Sequence, residues 1–279
     1  MILLGGPVFV SADDPQKWVA AHSDAGYRAA YVPDIKITDT ARIQTFKTAA
    51  AERKLAFAET GAWCNLIAVD PAKRAANLKH TENKLTLADE IGAGCCVTFI
   101  GTLDPNSDYG PHPLNLEKEG FDQAVAACRA VIDAVKPKRA KFSLEMMQWV
   151  LPDSVDSYEA LIKAVDRKEF GVHLDPVNMI VSPRLFYHNG DMIRETFKRL
   201  GKWVVSAHAK DLVLKNQLAL HLDEIRPGLG NLDYAAYLKG LAALPNDTPL
   251  MLEHLSNETE YKQAAEHLRS VAKKEGLPI

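Results

Sequence analysis

Eight short apolar runs recur along this 279-residue chain, and a longer amphipathic stretch follows each of them. The runs are Ile2–Leu4, Ala29–Val32, Leu55–Glu59, Cys95–Ile100, Lys141–Glu145, Gly171–Leu174, Trp203–His208 and Pro249–Glu253. A short run that is apolar almost throughout reads as a strand buried on both faces, the kind found in a parallel sheet. The stretches between them carry a helical period. Phe121, Val125, Cys128, Ile132 and Val135 step by three or four and predict one buried helix face that Pro137 ends. Asp70-Pro71 predicts an N-cap followed by proline at the first helical position. A last helix is predicted from Asn257, with Glu260 in the capping-box position; it buries Tyr261, Ala264, Leu268 and Val271 and stops at Gly276.

Strand and helix alternating in this way predict a (β/α)8 barrel, with residues 1–279 as a single domain. The competing doubly wound sheet loses its nucleotide-binding versions, because no GxGxxG follows the first strand and no GxxxxGKS or GxxxxGKT occurs. Two connections are too long for simple turns: 101–116, rich in Pro, Gly, Asp and Asn, and 212–232. Both follow strands, which predicts that they are loops over the C-terminal mouth and candidate lids for a substrate.

Composition excludes several partners. With 33 basic against 36 acidic residues the net charge is −3, so nothing in the charge balance draws the chain to nucleic acid or to an anionic membrane surface. No apolar run approaches the ~20 residues of a membrane span, and the first residues lack the basic start and long apolar stretch of a signal peptide. A cytoplasmic location is the expectation. Cys64, Cys95, Cys96 and Cys128 form no CxxC pair and read as reduced core thiols.

The last four runs close on metal-compatible side chains: KFSLE on Glu145, FGVHLD on Asp175, VVSAH on His208 and PLMLE on Glu253. Residues at successive strand ends of such a barrel converge on one mouth. Three carboxylates and an imidazole suit a divalent cation, and without one their mutual repulsion and desolvation would be costly.

The segments SLEMMQW, GVHLDPVNM, SAHAKD, RPGLGNLDY and MLEHL resemble the sugar phosphate isomerase/epimerase superfamily, the xylose-isomerase-like barrels, a group that also holds ketose 3-epimerases, inosose dehydratase and endonuclease IV. The resemblance covers the whole chain and is strongest from Lys141 to Leu255. It implies that Glu145, Asp175, His208 and Glu253 bind one Mn²⁺, Mg²⁺ or Co²⁺, or a Zn²⁺. It also implies that Glu145 and Glu253 exchange protons with substrate carbon on opposite faces; barrels of this family are commonly dimers or tetramers, which leaves a homo-oligomer open. One position departs from the epimerase pattern: three residues after the strand-six aspartate, where a histidine is usual, stands Asn178. A neutral amide can hydrogen-bond a hydroxyl but carries no proton.

The chemistry expected is a metal-dependent isomerisation or epimerisation of a ketose, keto-sugar or related polyol. A cation stabilises the enediolate as it forms while a carboxylate takes the proton. The alternative on the same barrel is a lyase, either a keto-inositol dehydratase or an enzyme that eliminates or hydrolyses 3-keto-glycosides. Candidate substrate-binding residues are Glu59, Trp63, Asn65, Asn178, Lys210 and Arg226, with His112 and His254 as weaker candidates; His173 reads as a buried supporting histidine. An endonuclease reading is disfavoured by the acidic balance and by early strands that end without histidine, and a non-catalytic sugar sensor by the intact ligand set.

Overall fold

The parallel strands form where the sequence is apolar in unbroken runs, and the structure buries those runs on both faces. The computed structural model describes residues 1–279. Its strands are β1 (Ile2–Gly5), β2 (Ala29–Ala30), β3 (Ala56–Phe57), β4 (Glu59–Gly61), β5 (Cys95–Thr98), β6 (Lys141–Glu145), β7 (Phe170–Leu174), β8 (Val204–Ala209), β9 (Asp211–Leu214), β10 (Leu222–Ile225) and β11 (Thr248–Leu252). The α-helices are α1 (Pro15–Asp24), α2 (Thr40–Glu52), α3 (Pro71–Ile91), α4 (Lys118–Val135), α5 (Val155–Val165), α6 (Pro183–Tyr187), α7 (Asn189–Leu200), α8 (Tyr234–Ala242) and α9 (Glu258–Glu275). Nine strands pair in the order β3-β2-β1-β11-β8-β7-β6-β5-β4. Only Ala58 separates β3 from β4, so the order begins and ends on one stretch of chain, Ala56–Gly61. This is the strand order of the expected (β/α)8 class.

The chain divides into two compact units. One comprises Met1–Tyr31, Ala49–Ala56 and Leu174–Ile279. In it β1 pairs parallel with β11, Leu4 opposite Leu250, and β11 with β8, Met251 opposite His208. Its core packs Ile2, Leu4, Ala207, Leu250 and Leu252 under Val19 of α1, Leu238 and Leu241 of α8, and Ala264 and Leu268 of α9. The other unit comprises Val32–Thr48 and Phe57–His173. There β4, β5, β6 and β7 pair parallel in turn, with Glu145 opposite His173. Leu85 of α3, Cys128, Val131 and Ile132 of α4, and Leu161 of α5 cover Cys96, Phe142, Leu144 and Val172, which share one face of the sheet.

Helix signals written in local chemistry hold. Asp70 caps α3, its side chain accepting from the Ala72 and Lys73 N–H groups at 2.7 and 3.2 Å. Asn257 caps α9, but the Glu260 carboxylate pairs with Arg226 at 3.0 Å. Val271 is only half-buried, and Ala272 lies in the core. The buried face of α4 is Gly120, Ala124, Ala127, Cys128, Val131 and Ile132; Phe121, Val125 and Val135 lie half-buried at its margin. Small residues sit in the centre there because α3 and α5 press close on either side, a demand of packing that periodicity does not state.

Two further differences bear on the site. Residues 212–232 are not an irregular loop: β9 and β10 form an antiparallel hairpin, Leu222 opposite Leu214 and Ile225 opposite Asp211. Residues 101–116 hold only a short 3₁₀ turn, Pro113–Leu116, yet buried amides pin them. Asn115 Oδ1 accepts from Leu103 N–H at 2.9 Å, and its Nδ2 donates to the Gly110 and Trp149 carbonyls at 3.0 and 3.1 Å. Asn65 Nδ2 donates to the Thr102 carbonyl at 2.8 Å. Gly101 lies at φ +99°, where a Cβ would meet Asn65 Oδ1 at 2.0 Å, so only glycine lets the two segments touch. All four cysteines are free, and burial pushes the Cys96 thiol up to about 12. No helix is long and apolar enough to cross a membrane.

Candidate metal centre

At the C-terminal ends of β7, β8 and β11 the first unit gathers Asp175, His208, Lys210 and Glu253. The ligand-type atoms of Asp175, His208 and Glu253 all lie within 4.8 Å of one another. His208 Nδ1 is 2.9 Å from Glu253 Oε1. Lys210 Nζ bridges the two carboxylates, 2.9 Å from Asp175 Oδ2 and 2.6 Å from Glu253 Oε1. Asp175, His208 and Lys210 are buried, and Glu253 nearly so. Burial opposes ionisation of Glu253, but the adjacent imidazole of His208 and the Lys210 ammonium outweigh it, so its carboxyl lies well below the ordinary range.

These positions are held by backbone that other side chains clamp. Asp175 Oδ1 accepts from the Val177 N–H at 3.0 Å, which leaves Oδ2 facing Lys210. The Tyr237 hydroxyl, from α8, lies 2.8 Å from the His208 carbonyl and 3.2 Å from that of Leu174, so one phenol ties the ends of β7 and β8. Tyr234 OH donates to the Lys210 carbonyl at 2.6 Å and Tyr31 OH to that of Leu252 at 3.2 Å. Asp211 turns away from the cluster. Its Oδ1 accepts from Leu212 and Leu232, both at 2.9 Å, and its Oδ2 from Gly228 and Gly230 at 3.0 and 3.1 Å. It therefore fixes the PGLG turn, where a Cβ on Gly230 would meet Asp211 Oδ1 at 2.2 Å.

In the second unit Glu145 ends β6, buried and opposite His173 in register. His173 Nε2 lies 3.0 Å from Glu59 Oε2, and both residues are fully buried. Tyr158 repeats the device of Tyr237: its hydroxyl lies 2.7 Å from the Leu144 carbonyl and 3.0 Å from that of Gly171, and it accepts from the His173 N–H at 3.3 Å. Burial pushes this phenol far up, so it stays a donor.

The remaining candidates fall in distinct settings. Asn178 is buried in a 3₁₀ turn, Val177–Met179, just after Asp175. Arg226 pairs with Glu260. His112 caps the short 3₁₀ turn of the 101–116 segment. His254, next to Glu253, adopts a left-handed φ of 57° and places Nδ1 3.1 Å from Glu224 Oε1 of the hairpin; that hydrogen bond raises its pKa. Trp63 is exposed and lies 6.1 Å, ring to ring, from Phe99. Sequence reasoning missed the clamping phenols Tyr158 and Tyr237, because a tyrosine on a buried helix face reads as core until its hydroxyl has a partner. It also missed Phe99, Tyr109 and Trp149, whose rings meet only in the fold.

The cluster fits a divalent cation. Its donors are hard oxygens and one imidazole nitrogen, the set that Mg²⁺ and Mn²⁺ accept, and the Lys210 ammonium between two carboxylates shows the arrangement already taking positive charge.

No curated protein matches the chain. Among solved structures, a D-psicose 3-epimerase from Clostridium cellulolyticum H10, determined with D-tagatose, aligns over 100% of both chains with a TM-score of 0.72 and 13% identity. The 3-keto-D-glucoside 4-epimerase YcjR from E. coli aligns over 97% of this chain and 100% of its own, with TM-score 0.70 and 16% identity. A xylose isomerase-like TIM barrel protein from Mycobacterium smegmatis in complex with magnesium aligns over 95% and 89%, with TM-score 0.64 and 18% identity. These likenesses establish the (β/α)8 fold. A family profile described as xylose isomerase-like TIM barrel matches residues 19–271, and the chain belongs to that family.

Proposed function

We propose that this protein is a divalent-cation-dependent isomerase or epimerase of a ketose, keto-sugar or related polyol. The observation that carries this reading is the buried cluster of Asp175, His208 and Glu253 at adjoining strand ends, its carboxylates already bridged by an ammonium. Glu145 is the fourth ligand in this reading, supported by its burial at the end of β6 and by its register opposite His173, two residues before Asp175. The D-tagatose bound by the psicose 3-epimerase makes ketohexoses the first class to assay.

When bound, the cation polarises a substrate carbonyl and its neighbouring hydroxyl and so acidifies the adjacent C–H. The chain supplies the proton carriers. Glu253, held ionised by His208 and Lys210, is in the proton-accepting form at neutral pH. Glu145 holds the exchanged proton on the other side. Lys210, which lies between the Asp175 and Glu253 carboxylates, would donate a hydrogen bond to a substrate oxygen. Asn178 orients a hydroxyl through its amide. Arg226, Trp63 and His112 complete the substrate-facing set, Arg226 through the groups its pairing with Glu260 leaves available, while Glu59 acts from behind by fixing His173.

The second reading, a lyase acting on a keto-inositol or a 3-keto-glycoside, is favoured by Asn178 alone, since a neutral amide removes one proton carrier. One NMR experiment in D₂O decides between them. The protein with Mg²⁺ or Mn²⁺ is incubated with ketohexoses, 3-keto-glycosides and inososes. Deuterium entering carbon without loss of water or aglycone supports the isomerase or epimerase. Loss of either supports the lyase, and no exchange with any substrate sinks both.

A further inference from the structure

Four aromatic rings form a continuous wall on the strand ends of the second unit. Trp63 follows β4, Phe99 and Tyr109 follow β5, and Trp149 follows β6. The ring centroids lie 6.1 Å apart for Trp63 and Phe99, 5.2 Å for Phe99 and Tyr109, and 5.1 Å for Tyr109 and Trp149, with interplanar angles of 31°, 45° and 58°. Trp149 stands four residues after Glu145, so the wall runs along the strand-end rim that carries this carboxylate.

Three observations separate this wall from ordinary loop packing. Trp63 and Tyr109 remain 45% and 40% exposed, although rings serving only to pack would bury their faces. The backbone beneath is held rather than loose: Asn115 bonds the Gly110 and Trp149 carbonyls, so two of the loops that carry the rings are locked together. Finally, Trp149 Nε1–H is buried and makes no hydrogen bond, a donor that an oxygen seated beside the ring can satisfy.

A single pyranose stacks on at most one aromatic ring per face. A row of four therefore exceeds one sugar and has work on a longer ligand, and its flat apolar faces suit a further portion that is itself flat and apolar. The C-terminal rim of parallel strands is where such folds bind small molecules, so the occupant is part of a substrate rather than a partner protein. We infer that the wall is an aglycone subsite, and that the substrate is a glycoside carrying an aromatic group rather than a free monosaccharide. This rests on the proposed sugar chemistry at Glu145 and narrows its substrate class.

The test compares methyl and phenyl glycosides of the same sugars by isothermal titration calorimetry on the full-length protein with Mg²⁺. The wild type is expected to bind the phenyl glycoside about tenfold more tightly or better, the scale of one good aromatic stack. Trp63→Ala and Tyr109→Ala should each bring the ratio to within about twofold, while Trp63→Phe, which keeps a ring, retains it. The ratio is the readout, so a loss common to both ligands cancels. Equal affinities in the wild type, no binding of the phenyl glycoside, or an unchanged ratio in both alanine variants overturns the inference. Deuterium exchange on keto-sugars with equal glycoside affinities leaves the reaction standing without the wall. Tight phenyl-glycoside binding without exchange on any keto-sugar does the reverse.

Discussion

Lys210 Nζ lies 2.9 Å from Asp175 Oδ2, with both side chains buried. The same ammonium reaches Glu253 at 2.6 Å, so one lysine holds together two carboxylates that would otherwise repel in a low-dielectric pocket. This internal cation stands where the proposed function places an external one.

Lys210→Met therefore tests the cluster directly. Removing one partner of a buried ion pair typically costs about 3–5 kcal/mol. The variant should unfold at lower temperature than the wild type in chelator, and excess Mg²⁺ or Mn²⁺ should restore more of the melting temperature in the variant than in the wild type. An equal metal response in both proteins contradicts the arrangement.

Glu145→Gln and Glu253→Gln keep the shape of each side chain and remove its capacity to carry a proton. General acid–base catalysis contributes about 10²–10⁴-fold, and each variant should lose turnover on that scale. The rate of deuterium incorporation by NMR measures it, and circular dichroism checks that the fold persists. Retained turnover in both variants excludes the two-glutamate mechanism.

Tyr237→Phe removes the hydroxyl that ties the Leu174 and His208 carbonyls. Loss of this buried hydrogen bonding should lower stability by about 1–2 kcal/mol in urea unfolding. Because the same hydroxyl orients the strand end that bears His208, affinity for the divalent cation should fall as well, read by calorimetric titration.

Asp89 supplies a pH test away from the site. Its Oδ1 accepts from the N–H groups of Lys138, Arg139 and Ala140 at 3.0, 2.6 and 2.9 Å. Burial pushes the carboxyl up, and the three backbone donors more than reverse that, so its folded-state pKa lies below the ordinary value. A lowered carboxyl contributes stability that is fully present above the ordinary carboxylate pKa and is lost as pH falls through the folded value. The stability gap between wild type and Asp89→Asn should be widest near neutrality and should close in acid. A gap that stays constant from neutral pH into the acid range refutes this role.

How much was legible depended on how local the signal is. Asp70-Pro71 and Asn257 announce helix starts because a cap is satisfied within its own turn. Glu145, Asp175, His208 and Glu253 could be singled out because a polar residue closing an apolar run is conspicuous in one dimension. The third strand was less legible: Leu55–Glu59 reads as one run, while the structure breaks it at Ala58 and places Glu59 at the start of β4, bonded to His173. The hairpin within 212–232 was also hidden, because its strands, DLVL and LDEI, are only four residues each and Asp211 is held by N–H groups of Gly228, Gly230 and Leu232, which lie far along the chain.

By itself the sequence determined the alternation of strand and helix, and with it the class of fold, because burial on two faces requires unbroken apolar runs and burial on one requires a helical period. It also determined which chemical groups the strand ends can present. Tertiary structure alone decided what those groups meet: that Lys210 bridges Asp175 and Glu253, that Tyr158 and Tyr237 clamp neighbouring strand ends, and that Trp63, Phe99, Tyr109 and Trp149 line up as one wall. Each of these joins residues far apart in the chain, and such contacts exist only once the strands have paired and their ends have been brought side by side.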